Sequence, residues 1–589
     1  MKIDDKLNAL RQEMADRNID AYIIPSSDPH GSEYPVRHWQ ARAWVSSFNG
    51  SAGTVVVTQT SAGLWTDGRY HIVAEELLAN LPIDLFKQGV DGVPTVNEWL
   101  TETLNAGATV GFDGRLFGVK AVNMMKKEFL PKKLKIVSEF DLFEKIWTDR
   151  PALPFEKQFD HLVKFSGKSR KEKLAEIRAK MAACKASAHL LTTLDDIAWL
   201  FNIRTANTMP AFGQAYAVIE QDNATLFIPE ANITDVKATL TKDGVKTLPY
   251  ETITDYLKAI KASAVLIDPA AVNWTLYNLI PESCRKVEVP NPTNLMKSIK
   301  NQVEVANSRN AHIKDGVAMV QFIHWLECNI GKIKITELSA DEMLTKCRWA
   351  QNNSFGPSFG TIPAYKEHAA MAHYSATPEG QHELKPEGLF LVDSGGQYLD
   401  GLTDTTRTFA LGPVSEEQKI HYTLVLKGML SLSMAKFLKG TRGCNLDIIA
   451  RQPLWDHGLD YRHGTGHGVG YFLNVHEGPQ GFSQGLNDVP MEVGMMTTIE
   501  PGYYVEGSHG IRIENIVVTQ KEEETQWGEF YSFEALTLVP IDKKPIVKTL
   551  MSEREINYLN SYHQNVYEKL SPFLSESEST WLKAATSPL

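Results

Sequence analysis

The chain has 589 residues, room for roughly three or four domains on the usual scale of 100 to 200 residues each, and its 43% hydrophobic and 22% charged content is that of a folded globular protein rather than a disordered or fibrous one. Lysine plus arginine total 60 against 71 acidic residues, and a net charge of −11 argues against nucleic acid or an anionic membrane as the main partner. The cysteines, at 184, 284, 328, 347 and 444, are scattered without a CxxC spacing, which fits a reducing cytoplasm, and no window of 18 apolar residues suggests a membrane span.

The N-terminus carries Leu7, Leu10 and Met14 at helical spacing among charges and lacks the apolar core of a secretory signal, so it reads as the first helix of the fold. Short β-branched runs in DAYIIPSSDPH and WVSSFNGSAGTVVVTQTSAGLWTDGRYH, punctuated by Gly and Ser, predict a mixed sheet. From about residue 170 a charged helix, SRKEKLAEIRAKMAACKA, leads into SAHLLTTLDDIAWLFNIR and AYAVIEQDNATLFIPE, which repeats the same order of elements. The fold class expected is α/β and α+β, with two related α/β domains, 1–150 and 151–296, before a third domain, 297–589. The first boundary falls near Asp149, Arg150 and Pro151, and the two prolines of VEVPNPTNLMKS mark an extended linker at about 288–296.

A long helix is expected from Lys300, with Val305, Ile313, Val317, Val320 and Ile323 on roughly one face. Further on, EEQKIHYTLVLKGMLSLSMAKFLKG places Tyr422, Val425, Met429, Leu432 and Leu438 near one side of a helix, with Gly440 as its C-cap. The C-terminal extension opens with a capping box, Ser552 and Glu555, and carries Ile556, Leu559, Val566, Leu570 and Phe573, a face that either the domain or a second copy of the chain would cover.

Residues 462–476, RHGTGHGVGYFLNVH, hang three histidines on a glycine-rich stretch. Alone this is a turn with surface histidines. Two hairpins change that reading. GLFLVDSGGQYLDGLTDTTRTF ends an apolar strand at Asp393 and places Asp404 on a Thr-rich strand, although SGG would also suit Asp393 as a turn cap. MMTTIEPGYYVEG ends a strand at Glu500, and HGIRIENIVVT reads as one strand with Arg512 and Glu514 on one face and Ile511 and Ile513 on the other. Four carboxylates and one imidazole suit Mn²⁺, Co²⁺, Fe²⁺ or Zn²⁺. They are too many for one open catalytic ion and enough for two ions bridged by carboxylates. The glycines would then let backbone approach a crowded cation site.

This constellation resembles the pita-bread metallopeptidases, the family of methionine aminopeptidase, prolidase, aminopeptidase P and the metal-free creatinase, whose ligands run Asp, Asp, His, Glu, Glu. The matching positions are Asp393, Asp404, His467, Glu500 and Glu514. His373 in MAHYS, His463 and His476 match the histidines that line the substrate site in proline-specific members. LWTDGRY, LMKSIKN, the C-terminal WLKAATSPL and the overall length resemble the long, three-domain, cytosolic aminopeptidase P branch, with creatinase-like N-terminal domains and a pita-bread catalytic domain carrying a C-terminal helical extension.

The resemblance implies a cytoplasmic dinuclear metalloprotease, an aminopeptidase that removes the first residue from peptides with proline in second position through a metal-held hydroxide. Two divalent ions are implied, Mn²⁺ first, with Co²⁺, Zn²⁺ or Fe²⁺ as alternatives. Asp404 and Glu514 would bridge them, with Asp393 on one ion and His467 and Glu500 on the other. Glu500 would double as acid and base, His476 would bind the oxyanion, His373 would orient substrate near the proline nitrogen, and His463 would line the pocket. Arg512 would hold Glu514 or Asp404 from behind. A homodimer through the C-terminal domain is implied as well. Two other readings remain open: a prolidase restricted to Xaa-Pro dipeptides, and a metal-free pita-bread module that docks peptides.

Overall fold

The computed structural model describes residues 1–154, 156–206 and 208–589. They fall into two compact units, the first comprising Met1–Asp160, Lys168–Thr208 and Phe212–Thr293, the second His161–Gly167, Met209–Ala211 and Asn294–Leu589.

The first unit contains two six-stranded sheets. One is built from Ala21–Pro25, Thr54–Thr58, Ala62–Thr66, Asp84–Lys87, Thr109–Phe112 and Lys135–Val137; the other from Ala188–Leu191, Tyr216–Glu220, Ala224–Phe227, Val245–Leu248, Ala264–Ile267 and Arg285–Glu288. In each, the strands lie side by side in the order fourth, third, second, first, fifth, sixth, with the same parallel and antiparallel pairings. The repeat read from the sequence is thus a repeat of topology. The central strands are buried on both faces and are mostly apolar, with His189 the polar residue within Ala188–Leu191. The stretch at 288–296 is not extended throughout: from Pro292 it coils into the short helix Pro292–Ser298.

The second unit twice runs helix, helix, then antiparallel strands. The helices Gln302–Asn329 and Glu337–Trp349 precede a three-stranded sheet of Ile362–Tyr365, Leu389–Ser394 and Thr405–Ala410. The helices Glu416–Ser433 and Gly443–Trp455 precede a four-stranded sheet in which Met496–Ile499, Asn515–Thr525 and Gly528–Ala535 are neighbours. Asp393 and Asp404 come from the first half, Glu500 and Glu514 from the second.

Two local readings are corrected, and a third is decided between its alternatives. The long helix starts at Gln302, capped by the Asn301 side chain, and is buried on more than one face: Val317 and Val320 enter one core while Met319, Phe322 and Leu326 enter another. Leu438 is not helical, because the helix stops at Ser433 and Phe437–Leu438 instead pairs with Tyr531 and Phe530; Gly440 follows that strand rather than capping a helix. The C-terminal helix Glu553–Leu570 begins at the Ser552 and Glu555 capping box as read, and Leu559, Val566 and Leu570 fill the core of their own unit, so no second copy is needed to cover them. Phe573 stays exposed.

Candidate metal centre

Strand alternation assembles the first two carboxylates. Asp393 pairs with Thr406 and Ser394 with Thr405 across the Leu389–Ser394 and Thr405–Ala410 strands, and the period of two puts Asp404, Thr406 and Thr408 on the face of Asp393. Glu500 follows directly on Met496–Ile499, its backbone N–H held by the Thr465 carbonyl at 2.7 Å. Glu514 is positioned by its N–H to the Thr406 carbonyl (3.1 Å), and its Oε2 accepts from the Thr406 hydroxyl (2.8 Å).

His467 reaches this group from the glycine-rich stretch. Its N–H donates to Thr498 Oγ1 (3.0 Å), and Nδ1 lies 2.9 Å from the Gly468 carbonyl, so Nδ1 carries the proton and Nε2 faces the acids. Nε2 is 3.4 Å from Asp404 Oδ2 and 3.5 Å from Glu500 Oε1. One ligand atom each from Asp404, His467 and Glu514 lie within 4.8 Å of one another. The glycines serve this approach differently from the expectation. A Cβ on Gly466 would come within 1.8 Å of the Thr498 carbonyl oxygen, and one on Gly468 within 2.0 Å of the Glu477 carbonyl oxygen. What they admit is neighbouring backbone, and that is what brings His467 against the Glu500 strand.

Burial sets the protonation of the group. It pushes the Asp393 and Glu500 carboxyls up despite the opposing charge of Arg512, and pushes Glu514 well up, reinforced by the charge of Asp404. For His467, burial works against the charged form, but the hydrogen bond it donates to Asp404 and the charge of Glu500 prevail and raise it to about 9. A divalent cation among these carboxyls would offset the cost of burying their charged forms. Asp393 Oδ1 and Glu514 Oε1 are buried without a hydrogen-bond partner among the described residues, acceptors of the kind a divalent ion satisfies. Four carboxylates with one imidazole nitrogen fit hard divalent metals.

Arg512 departs from the sequence reading. HGIRIENIVVT is two strands, His509–Arg512 and one from Asn515, paired with different partners, so Arg512 and Glu514 do not share a continuous face. Arg512 Nη2 donates to Asp393 Oδ2 (2.6 Å), and among the described residues it is linked to Glu514 through Thr406, whose hydroxyl is 3.2 Å from Arg512 Nε. Ile511 and Ile513 are fully buried, Ile511 on the first strand and Ile513 in the break after it.

The three other histidines surround this core. The His476 ring stands edge-on to His467 with centroids 4.3 Å apart. His463 Nε2 is 2.9 Å from the Tyr504 hydroxyl, which accepts from Arg512 Nη1 (2.6 Å). His373 lies beside Ala372, whose carbonyl accepts from Arg512 Nη2 (3.2 Å). Sequence reasoning missed Tyr504, Thr406 and Arg407. Thr406 had a signal, two residues after Asp404 on a strand. Tyr504 had a weaker one, a tyrosine four residues from Glu500. Arg407 had none; it is buried and donates to the Glu514 carbonyl and to the Tyr562 hydroxyl of the C-terminal helix (2.9 Å), so that extension supports the centre.

Residues 306–521 match the metallopeptidase family M24, residues 529–589 the C-terminal region of that peptidase, and residues 6–146 and again 149–304 the creatinase/prolidase N-terminal domain. A probable Xaa-Pro aminopeptidase P of Paracoccidioides brasiliensis is 39% identical over 611 residues, covering 99% of both chains. Aminopeptidase P2 of Arabidopsis thaliana is 37% identical over 631 residues, 100% of this chain and 89% of that one. The crystal structure of an X-prolyl aminopeptidase from Caenorhabditis elegans, described as a cytosolic enzyme with a di-nuclear active site, superposes with a TM-score of 0.96 at 34% identity, over 100% of both chains. With two creatinase-type domains ahead of an M24 catalytic domain and full-length likeness to these relatives, the chain belongs to the aminopeptidase P family of M24 metallopeptidases.

Proposed function

We propose that the protein is an Xaa-Pro aminopeptidase, releasing the N-terminal residue from peptides whose second residue is proline. The observation that carries this is the convergence of Asp404, His467 and Glu514 within 4.8 Å, flanked by Asp393 and Glu500, in a chain alike from end to end to enzymes of that name. Asp393, Asp404, His467, Glu500 and Glu514 would hold two divalent ions, Mn²⁺ by our reading. Bound there, such ions would polarise the scissile carbonyl and acidify the attacking water.

The chain's own residues do the rest. An Xaa-Pro bond is a tertiary amide without an N–H, so recognition falls to side chains around the first residue and the proline ring. Glu500, its carboxyl raised by burial, is suited to take the proton of the attacking water and return it to the proline nitrogen as the C–N bond breaks. His476, against His467, would donate to the oxyanion. His373 would orient the substrate near the proline nitrogen, and His463 would line the pocket.

The division 1–150, 151–296 and 297–589 into two N-terminal domains and a catalytic domain is part of this proposal, supported by the extents of the family matches. So is a cytoplasmic location; among the described residues no helix is long and apolar enough to cross a membrane. A homodimer through the C-terminal domain is supported by Trp527, 76% exposed at the tip of the Asn515–Thr525 and Gly528–Ala535 hairpin.

Mass spectrometry of Arg-Pro-Pro-Gly-Phe and of Arg-Pro after incubation with the metal-loaded protein tests the activity. Release of arginine from the pentapeptide is expected. Cleavage of the dipeptide alone would make the protein a prolidase, and binding without cleavage would leave a docking module.

A further inference from the structure

The loop that carries His373 is tied down by a carboxylate remote from the metal ligands. Glu337 is the first residue of the helix Glu337–Trp349, capped by Thr336, and its side chain is fully buried. It has no Lys or Arg partner among the described ion pairs. Instead it accepts from both ends of the segment between Tyr365 and Leu384: at Oε1 from the Tyr365 N–H (2.8 Å), and at Oε2 from the His382 N–H (2.8 Å) and the Tyr374 hydroxyl (2.8 Å), with His368 Nδ1 at 3.0 and 3.1 Å from the two oxygens. The Glu337 N–H in turn donates to the His382 carbonyl (3.1 Å), and the Leu384 N–H to the Ile335 carbonyl (2.8 Å).

Burying a carboxylate is costly unless hydrogen bonds and a helix N-terminus offset it, and here both do. The result is a brace across a loop that has little regular structure of its own. The His368 ring stacks on His382, centroids 3.7 Å apart, and on Tyr374 at 4.5 Å. Beside it, the Ala369 carbonyl presses on the Arg512 strand at Gly510, where a Cβ would come within 1.7 Å.

His373 therefore stands between two fixed neighbours. Ala372 is held by the Arg512 nitrogen that also holds Asp393, and Tyr374 is held by Glu337. We propose that Glu337 is a positioning residue which, through Tyr374, sets His373 against the substrate's proline. This rests on the substrate role given to His373 above. Burial, reinforced by the Glu337 charge, holds the Tyr374 hydroxyl far above its usual range, so the phenol stays a donor to the carboxylate at every working pH.

The test is a double-mutant cycle on the metal-loaded enzyme with Arg-Pro-Pro-Gly-Phe, reading kcat, KM and metal content. Tyr374→Phe keeps the ring stack and removes one bond, so the fold is spared where Glu337→Gln could lose it. It should lower kcat about tenfold, with KM and metal content little changed, since small displacements of a positioned group are costly in rate. In the His373→Ala background the same substitution should cost nothing further. Equal losses in both backgrounds, or none in either, would overturn the brace while leaving the activity intact. A His373→Ala enzyme as fast as wild type would instead remove the substrate role of His373, and the proposal with it.

Discussion

Arg512 Nη2 donates to Asp393 Oδ2 at 2.6 Å, and the pair is almost wholly buried, with side-chain exposures of 4% and 11%. The planar guanidinium also reaches Thr406 through Nε and Tyr504 through Nη1, so one cation orients an acid of the metal group, the threonine that holds Glu514, and the tyrosine that meets His463. Replacing it by Met would leave Asp393 without its charge partner among other buried acids. Metal affinity should fall by about 10- to 100-fold, the usual cost of losing such an outer partner. Lys should rescue little, because it cannot make the forked contacts. Competition with a chelator of known affinity measures both.

Metal loading should release protons. His467 is held up at about 9, so at neutral pH it carries a proton that a cation must displace, and burial pushes the Glu514 carboxyl in the same direction. Affinity should therefore rise with pH across the neutral range. Calorimetric titration in two buffers of different ionisation enthalpy would reveal the release as a difference in apparent heat; equal heats would contradict the protonation assigned here.

Lys300 and Glu477 form a buried ion pair, Nζ to Oε1 at 2.5 Å with 1% exposure on each side, next in sequence to His476. Lys300→Met would strand the Glu477 charge and should cost about 3–5 kcal/mol in denaturant unfolding. Adding Glu477→Gln should recover much of that loss. If the single variant is as stable as wild type, the pair is not holding this segment.

Acid should destabilise the fold by charging buried histidines. Burial lowers His189 from 6.5 to about 4, and burial together with the nearby charge of Lys543 lowers His563 to about 3; the His563 Nε2 accepts from the Ile541 N–H and cannot do so once protonated. Folded pKa values below the unfolded ones mean that the unfolded chain takes up protons first. The stability is complete above pH 6.5 and is lost as pH falls through 6.5 toward 4 and 3, on the order of 3 kcal/mol per histidine. Urea midpoints at pH 7 and pH 4.5 should differ accordingly, and by less in His563→Gln.

How much of this was legible in the sequence depended on the range of the interaction. Asp393, Asp404, Glu500 and Glu514 each sit on or beside a strand whose alternation is a local property, and the Ser552 and Glu555 cap is spelled within four residues. The partner of Arg512 was not legible, because the contact with Asp393 joins strands more than a hundred residues apart and the chain bends between Arg512 and Asn515. Leu438 was misread because helical spacing continues past the point where pairing with Phe530 captures the chain. Arg407 had no local signature, since all it contacts beyond its own strand is decided by the final packing.

The central claim is that the five ligands and the metal they would hold carry the cleavage. Arginine release from Arg-Pro-Pro-Gly-Phe by metal-stripped protein, followed as Mn²⁺ is added back, tests it most directly, with Glu514→Ala run alongside. The account predicts no release from stripped protein, recovery in the wild type as metal is added, and no recovery in the variant. Release by the stripped protein, or full recovery in Glu514→Ala, would contradict it.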